Sequence, residues 1–316
     1  MEDNYLEIIN AINANRKKYF SYFIISLIIG LIFLAIGIGF LIAASCGVID
    51  VVYFVIAIVL LIVGLIVIFS FYALFKNSYK KSFYSNLKTD ILKSLYGETY
   101  KYNETEGVSL SFLMGSGVIR APDAFTSSQY FSYQESNIDI MSSNYTLIRV
   151  TQTTDSKGNV HETRTPYPGK IIAYKFPRNL KINFASLEKV FLDGVFVSPH
   201  GFGPKVEFES IEFNKKFDSF CASKEDAFYL MTPEIQMDLL DFDKTYTSNL
   251  AFVIKGNILY LILGFYDNHI TFSLFKDFSS VDINKFIKDL SLPLTFLKDL
   301  HLDSNKFTNT ELNKST

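Results

Sequence analysis

Cysteine and histidine are scarce in this 316-residue sequence, with two of the first and four of the second. Cys46 and Cys221 have no Cys-x-x-Cys spacing around them, which excludes a disulfide framework. His161, His200, His269 and His301 are scattered, with none of the clustering that would set up metal ligands. A net charge of -2 lacks the basic excess that a nucleic-acid surface needs, so nucleic acid is excluded as a partner. There is no P-loop, no Gly-x-Ser-x-Gly elbow and no dinucleotide fingerprint. Gly115-Ser-Gly117 and Gly201-Phe-Gly203 are lone pairs in turn-rich contexts. No catalytic residue, metal site or cofactor is therefore expected.

Charge is also missing locally. Tyr22 to Ala44 and Val51 to Phe75 contain no Asp, Glu, Lys, Arg or His. Each run exceeds the roughly 20 residues a helix needs to cross about 30 Å of hydrocarbon. Only a short loop around Asp50 separates them, so the chain reads as a transmembrane hairpin carrying a globular remainder. The first run is too long for a signal-peptide core of about 7 to 15 residues, and a second span follows it directly. Neither span contains a charge that would mark an ion path or proton relay, which disfavours transport.

Arg16, Lys17 and Lys18 precede the first span, and Lys76, Lys80 and Lys81 follow the second. The positive-inside rule then puts both termini in the cytoplasm, and the location expected is the plasma membrane. Lys76, Lys80, Lys81 and Lys88 could also touch anionic headgroups, each contact being worth about 1 kcal/mol near a charged surface. Ala35, Gly39, Ala43 and Gly47 recur every fourth residue along one helical face, a packing seam for a close neighbour. The simplest neighbour is the second span near Ala57 and Gly64, and self-association across chains is the alternative.

These observations divide the chain into a cytoplasmic segment 1–18, a hairpin 19–75, a cytoplasmic domain 76–302 and a disordered polar tail 303–316. Within the domain, Phe83, Leu87, Ile91, Leu92 and Leu95 give an amphipathic helix that ends near Gly97. Tyr145 to Thr151 and Val160 to Arg164 flank Asp155-Ser-Lys-Gly-Asn159 as a long β-hairpin with a solvated tip. A further strand is expected at Lys170 to Phe176, after Pro168-Gly169. Val206, Phe208, Ile211 and Phe213 read as strand positions. Ser223 and Thr232-Pro233-Glu234 open two helices as N-caps. Gly256-Asn257 turns a tight hairpin, and Ile283 to Leu300 form a closing helix that runs past Pro293. Glu234, Asp238 and Asp241 share the polar face of the second capped helix, as surface carboxylates normally do.

Phe213-Asn-Lys-Lys-Phe-Asp-Ser-Phe220, Asp226 to Leu240 and Asn257 to Ile262 together resemble a bacterial family known as domain of unknown function 3137. Met231 stands where that family usually has Leu before Thr-Pro, a change that conserves volume. The resemblance implies two N-terminal spans, a short amphipathic helix and a β-rich cytoplasmic domain in a bacterial membrane protein. It implies no activity. The fold class expected is thus α+β, an N-terminal two-helix transmembrane hairpin followed by a β-rich cytoplasmic domain with amphipathic helices. The leading functional expectation is a membrane-anchored binding or scaffold protein whose partner, besides the lipid bilayer, is a protein or a lipid headgroup. The rivals are a membrane enzyme built around Glu234 or Asp238, and an oligomeric channel or membrane-remodelling hairpin that uses the Ala35 to Gly47 stripe.

Overall fold

Two very long helices open the chain. In the computed structural model, which describes residues 2–47, 50, 52–189, 197, 199, 201–246, 248–266 and 273–308, α1 spans Glu2–Ser45 and α2 spans Val52–Tyr96. The elements that follow are β1 (Lys101–Asn103), α3 (Leu110–Met114), β2 (Ala124–Glu135), β3 (Ile138–Thr154), β4 (Val160–Lys175), β5 (Phe184–Glu188) and β6 (Lys205–Val206). Then come α4 (Ile211–Lys216), β7 (Phe217–Cys221), α5 (Lys224–Leu230), α6 (Pro233–Thr245), β8 (Asn249–Lys255), β9 (Ile258–Gly264), α7 (Ser280–Asp299) and α8 (Asn305–Thr308). Contacts divide the chain into one unit of Met1–Leu95 with His269–Asp289 and another of Tyr96–Asn268 with Leu290–Thr316.

The first unit is the helical hairpin. At about 1.5 Å per residue each helix is about 65 Å long, twice the hydrocarbon thickness, so each continues well beyond its apolar run. Ile9–Ser45 and Val52–Phe83 are long and apolar enough to cross a membrane. Their large side chains face outward: Ile25, Ile28, Leu31, Ile32, Ile62 and Ile66 are all exposed. Such a surface suits a hydrocarbon solvent and suggests membrane association. The inward positions midway along the pair are small. Gly30 and Gly37 on α1 meet Gly64 and Ala57 on α2, and all four are buried. A Cβ at Gly30 would lie 3.1 Å from the Gly64 carbonyl oxygen and 2.5 Å from Ile68 Cγ1, and one at Gly37 would lie 3.1 Å from the Ala57 carbonyl oxygen. Absent side chains thus let the backbones approach, as in other membrane helix pairs.

Ala57 and Gly64 take the expected role, but the expected stripe does not face them. Ala35 and Gly39 are exposed, and a Cβ at Gly39 or Gly47 would meet nothing within 4 Å. Gly37 and Gly39 differ by about 200° around the helix, so only one of them can face α2. Every-fourth-residue spacing identified a small face, while the contact follows the spacing of Phe23, Ser26, Gly30 and Gly37. That spacing keeps an α-helix in register with a neighbour over several turns.

The second unit is built on a nine-stranded antiparallel sheet in the order β1-β2-β3-β4-β9-β8-β5-β7-β6. Central β8 and β9 are buried on both faces from Leu250 to Ile254 and from Leu259 to Leu263, which explains their unbroken apolar runs. One face packs Ile171, Ala173, Ala251, Val253 and Ile262 against Leu113, Val118 and Phe202. On the other side the Tyr174 hydroxyl donates to the Pro293 carbonyl at 2.7 Å. The Phe242 and Phe296 rings lie 3.9 Å apart. Buried Glu188 is held by Lys216 at 2.6 Å while its other oxygen accepts from Leu250 N–H at 3.1 Å, so this core charge is both paired and hydrogen-bonded.

Several local expectations hold. The Ser223 side chain accepts from Asp226 N–H at 3.1 Å and that of Thr232 from Ile235 N–H at 3.4 Å. Gly256, with φ of +65°, turns β8 into β9. The amphipathic stretch to Tyr96 is the unbroken continuation of the second span, stopped by Gly97 at φ +71°.

Others need correction. Ile211 and Phe213 belong to helix α4, because Ser210 caps it by accepting from Phe213 N–H at 3.2 Å. Pro168 does not precede a new strand, since β4 runs through both Pro166 and Pro168. The Pro168 carbonyl accepts from Phe265 N–H at 2.8 Å, so this residue's backbone points away from β3. A missing N–H there costs the β3 ladder nothing. The tail expected from residue 303 is ordered at its start: α8 buries Phe307, whose ring stacks 5.1 Å from Phe176. The rest of that expected tail, 309–316, lies outside the described residues.

Candidate functional site

The sheet is not evenly wide. β2 pairs with β3 only as far as Ile148, and β9 pairs with β4 only as far as Gly169. Beyond those points 149–154 and 160–165 pair with each other alone, and from Thr151 to Arg164 nearly every residue is exposed. The result is a two-stranded ribbon with solvent on both faces. Isolated hairpins are marginal in water, so local bonds must hold it.

Its tip supplies them. Asp155 Oδ1 accepts from the N–H groups of Lys157 at 2.8 Å and Asn159 at 2.9 Å, and Oδ2 accepts from Asn159 Nδ2 at 3.0 Å. His161 Nε2 lies 3.3 Å from the same oxygen. These donors, the Asn159 side chain foremost, hold the carboxyl down at about 2. Gly158, at φ +83°, completes the turn. Lower on the ribbon Arg164 pairs with Glu162 at 2.7 Å.

At the root is a crevice of about 190 Å³ between 120–123 and 147–150, lined by Arg120, Asp123, Ile148 and Arg149 among others. Asp123 Oδ2 accepts from Val150 N–H at 2.6 Å and Asp123 N–H donates to the Ile148 carbonyl at 3.0 Å. A side chain thus extends the β2 ladder by one rung where the β2 strand itself has ended.

In the helical unit the juxtamembrane cations divide. Lys80 and Lys81 are exposed and Lys76 is half-buried, so these three remain on the surface. Lys88 is only 1% exposed, with its ammonium 5.9 Å from the centre of the Phe286 ring. It therefore cannot serve as a headgroup contact. Arg16, read from the sequence as a topology marker, is also buried. Its Nη1 donates to the Leu274 carbonyl at 2.6 Å and its Nη2 pairs with Asp277. Asn13 exchanges two hydrogen bonds with the Phe278 backbone, at 3.0 and 2.8 Å. Phe275 packs against Phe20, Phe23 and Tyr72 at ring separations of 5.7 to 5.9 Å. The described part of 273–279 is thus strapped to the base of the hairpin. Partners some 260 residues apart left no local signal in the sequence.

The three carboxylates of α6 do not converge. Glu234 is exposed with His301 at 3.3 Å, and exposed Asp241 pairs with Lys244 at 3.1 Å. Asp238 is half-buried, and its Oδ2 has no hydrogen-bond partner. Burial, and then the charges of Glu234 and Asp299, push its carboxyl above the usual range. Among the described residues no three His, Cys, Asp or Glu side chains gather as metal ligands. His200 and His269 lie outside those residues.

Neither the curated proteins nor the solved structures gave a match to this chain. A family model described as "Protein of unknown function (DUF3137)" matches residues 167–302, from the second half of β4 to just past α7. The segments that carried the resemblance, 213–220, 226–240 and 257–262, all fall inside it. The two long apolar helices and the exposed ribbon fall outside it. Over residues 167–302, less than half of its length, the chain is similar to the family described as protein of unknown function DUF3137.

Proposed function

We propose that this is a membrane-anchored binding protein whose sheet unit presents the 149–165 ribbon to a protein partner. The ribbon carries this reading. It adds nothing to the core, yet it is built with a locked turn and a buttressed root, and exposed backbone edges of this kind favour partner strands. The plasma membrane and cytoplasmic termini belong to the same proposal, supported by Lys17, Lys18, Lys76, Lys80 and Lys81 flanking the apolar runs.

The test uses the full chain in its membrane. A variant with 150–164 replaced by a tight turn is expected to insert and fold as the parent does while losing its chemically crosslinked protein adducts. Unchanged adducts in that variant would refute the role of the ribbon. A reporter fused at the C-terminus and active only outside the cytoplasm would refute the sidedness.

Exposed Lys80 and Lys81 support a second, lipid-headgroup reading. It expects Lys80→Gln with Lys81→Gln to release the full chain's soluble face from vesicles containing anionic lipid. Equal protection of that face in neutral and anionic vesicles would dismiss it.

A further inference from the structure

The two edges of the ribbon are chemically different. On β4, Pro168 directs its backbone away from β3, and alternation puts Glu162, Arg164 and Pro166 on the same outer edge. Beyond Pro168, whose carbonyl is already bonded to Phe265, Pro166 lacks an N–H and Glu162 and Arg164 are charged, which are the devices that keep an edge from pairing with another strand. On β3, Ile148 and Val150 direct their backbones toward the β2 side, where Asp123 meets them. By the same alternation Gln152 and Thr154 direct theirs outward past the end of β2. Val150, Thr151, Gln152, Thr153 and Thr154 include no proline and no charge, and the last four are exposed. One edge is blocked and the other is open.

We propose that the open edge Val150–Thr154 pairs antiparallel with the same edge of a second copy of this chain, about a twofold axis at Gln152. This inference rests on the ribbon being the binding element and names its partner. In that register Gln152 faces Gln152, Thr151 faces Thr153 and Val150 faces Thr154. A twofold sets the residue on its axis against its own copy, where a charge would meet a like charge, and Gln152 is neutral. Threonine and valine also suit cross-strand contact on a pleated surface. The Gln152 N–H and carbonyl reach those of Gln152 in the second copy in both directions, and the Thr154 N–H reaches the Val150 carbonyl. Val150 keeps its own N–H on Asp123. So short a strand pair is weak in free solution, but chains held in one membrane meet at raised effective concentration.

Directly opposed residues of a hydrogen-bonded antiparallel pair lie about 5.5 Å apart at Cα. That suits a disulfide, which spans about 4.4–6.8 Å. The experiment uses full chain reconstituted in liposomes, in a Cys46→Ser background because Cys46 is exposed while Cys221 is buried. Under mild oxidation Gln152→Cys is expected to form covalent dimer at least fivefold faster than Thr151→Cys or Glu162→Cys. Gln152→Lys, which sets two ammonium groups against each other, is expected to reduce chemically crosslinked dimer severalfold with the circular dichroism spectrum unchanged.

Equal rates at positions 152 and 162 overturn the proposal, since they would report random collision. A monomeric Gln152→Cys chain overturns it too. If that monomer accompanies ribbon-dependent adducts with a different protein, self-pairing fails and the binding role of the ribbon stands. If the ribbon-shortened variant keeps every adduct, both fail.

Discussion

The helical hairpin and the sheet unit bury opposite kinds of residue. Midway along the α1–α2 contact the buried positions are Gly30, Gly37, Ala57 and Gly64, with Phe23 and Ser26 buried nearer the base, while Ile and Leu side chains face out. In the sheet unit the largest fully buried side chains include Tyr174, Phe184, Phe213, Phe217 and Phe252, and the exposed ones are largely polar. Water rewards removing large apolar surface, so the sheet unit puts its bulk inside. Hydrocarbon gives no such reward, and helices gain by bringing backbones close, so the hairpin puts its smallest residues inside. The base of the hairpin shows a third mode, in which buried Arg16 and half-buried Asn13 hold the 273–279 segment by polar bonds.

The largest test of this contrast is Phe252→Ala. Deleting a ring that is 1% exposed between β8 and its neighbours is expected to cost about 3–5 kcal/mol. Urea unfolding of the full chain in detergent, followed by tyrosine emission because the chain has no tryptophan, would measure it. Engineered-cysteine crosslinking between α1 and α2 should survive in this variant. Joint loss of both signals would show that the two modes of packing unfold as one block.

Next in size is Gly64→Leu. Its new side chain would start 3.0 Å from the Gly30 carbonyl oxygen, and overpacking of this kind costs about 1–3 kcal/mol. The same crosslinking should be lost. Gly39→Leu, with open space at its Cβ, should leave it unchanged within one chain. A Gly39→Leu defect in oligomer size with the hairpin intact would instead support the alternative expectation that this stripe joins separate chains.

Arg16→Ala is expected to cost less, about 1.5 kcal/mol, because it leaves the Leu274 carbonyl unpaired while Asp277 retains water. Faster hydrogen exchange confined to 273–279 and the start of α7 would be its signature. Uniform exchange across the hairpin would mean that the strap is not a separate fastening.

Smallest of all is the ribbon tip. The Asp155 carboxyl is depressed in the folded turn, so its contribution is present above the ordinary carboxylate value of about 3.9 and is lost as pH falls through about 2. Exchange of the Lys157 and Asn159 amides, corrected for intrinsic rates, should rise over that window, and Asp155→Ala should show the raised level at neutral pH. Global stability should not change in either case. A global loss would contradict a ribbon that stands outside the core.

Much of this was legible locally. Charge-free runs, the Ser223 and Thr232 caps, Gly256-Asn257 and the Asp155 to Asn159 turn are each decided within a few residues, and each element formed where its residues indicated. The errors share a cause as well. Ile211 and Phe213 alternate as a strand would, but Ser210 supplied a cap. Lys88 has the sequence context of a headgroup contact, yet Phe286, almost 200 residues away, covers it. Pro168 reads as a strand boundary until the side of β4 that it faces is known. As for the site, the hairpin and its turn were visible. The width of the sheet around them was not, because it depends on where β2 and β9 stop.

The sequence by itself determined that two helices are long and apolar enough to cross a membrane and that a β-rich unit follows, because absence of charge over a membrane's thickness and alternation along a strand are properties of the chain alone. Which glycines touch, which cations are covered and which ribbon edge stays open were decided only by tertiary structure. Those depend on the angle at which one element meets another, and residues far apart in the chain set that angle.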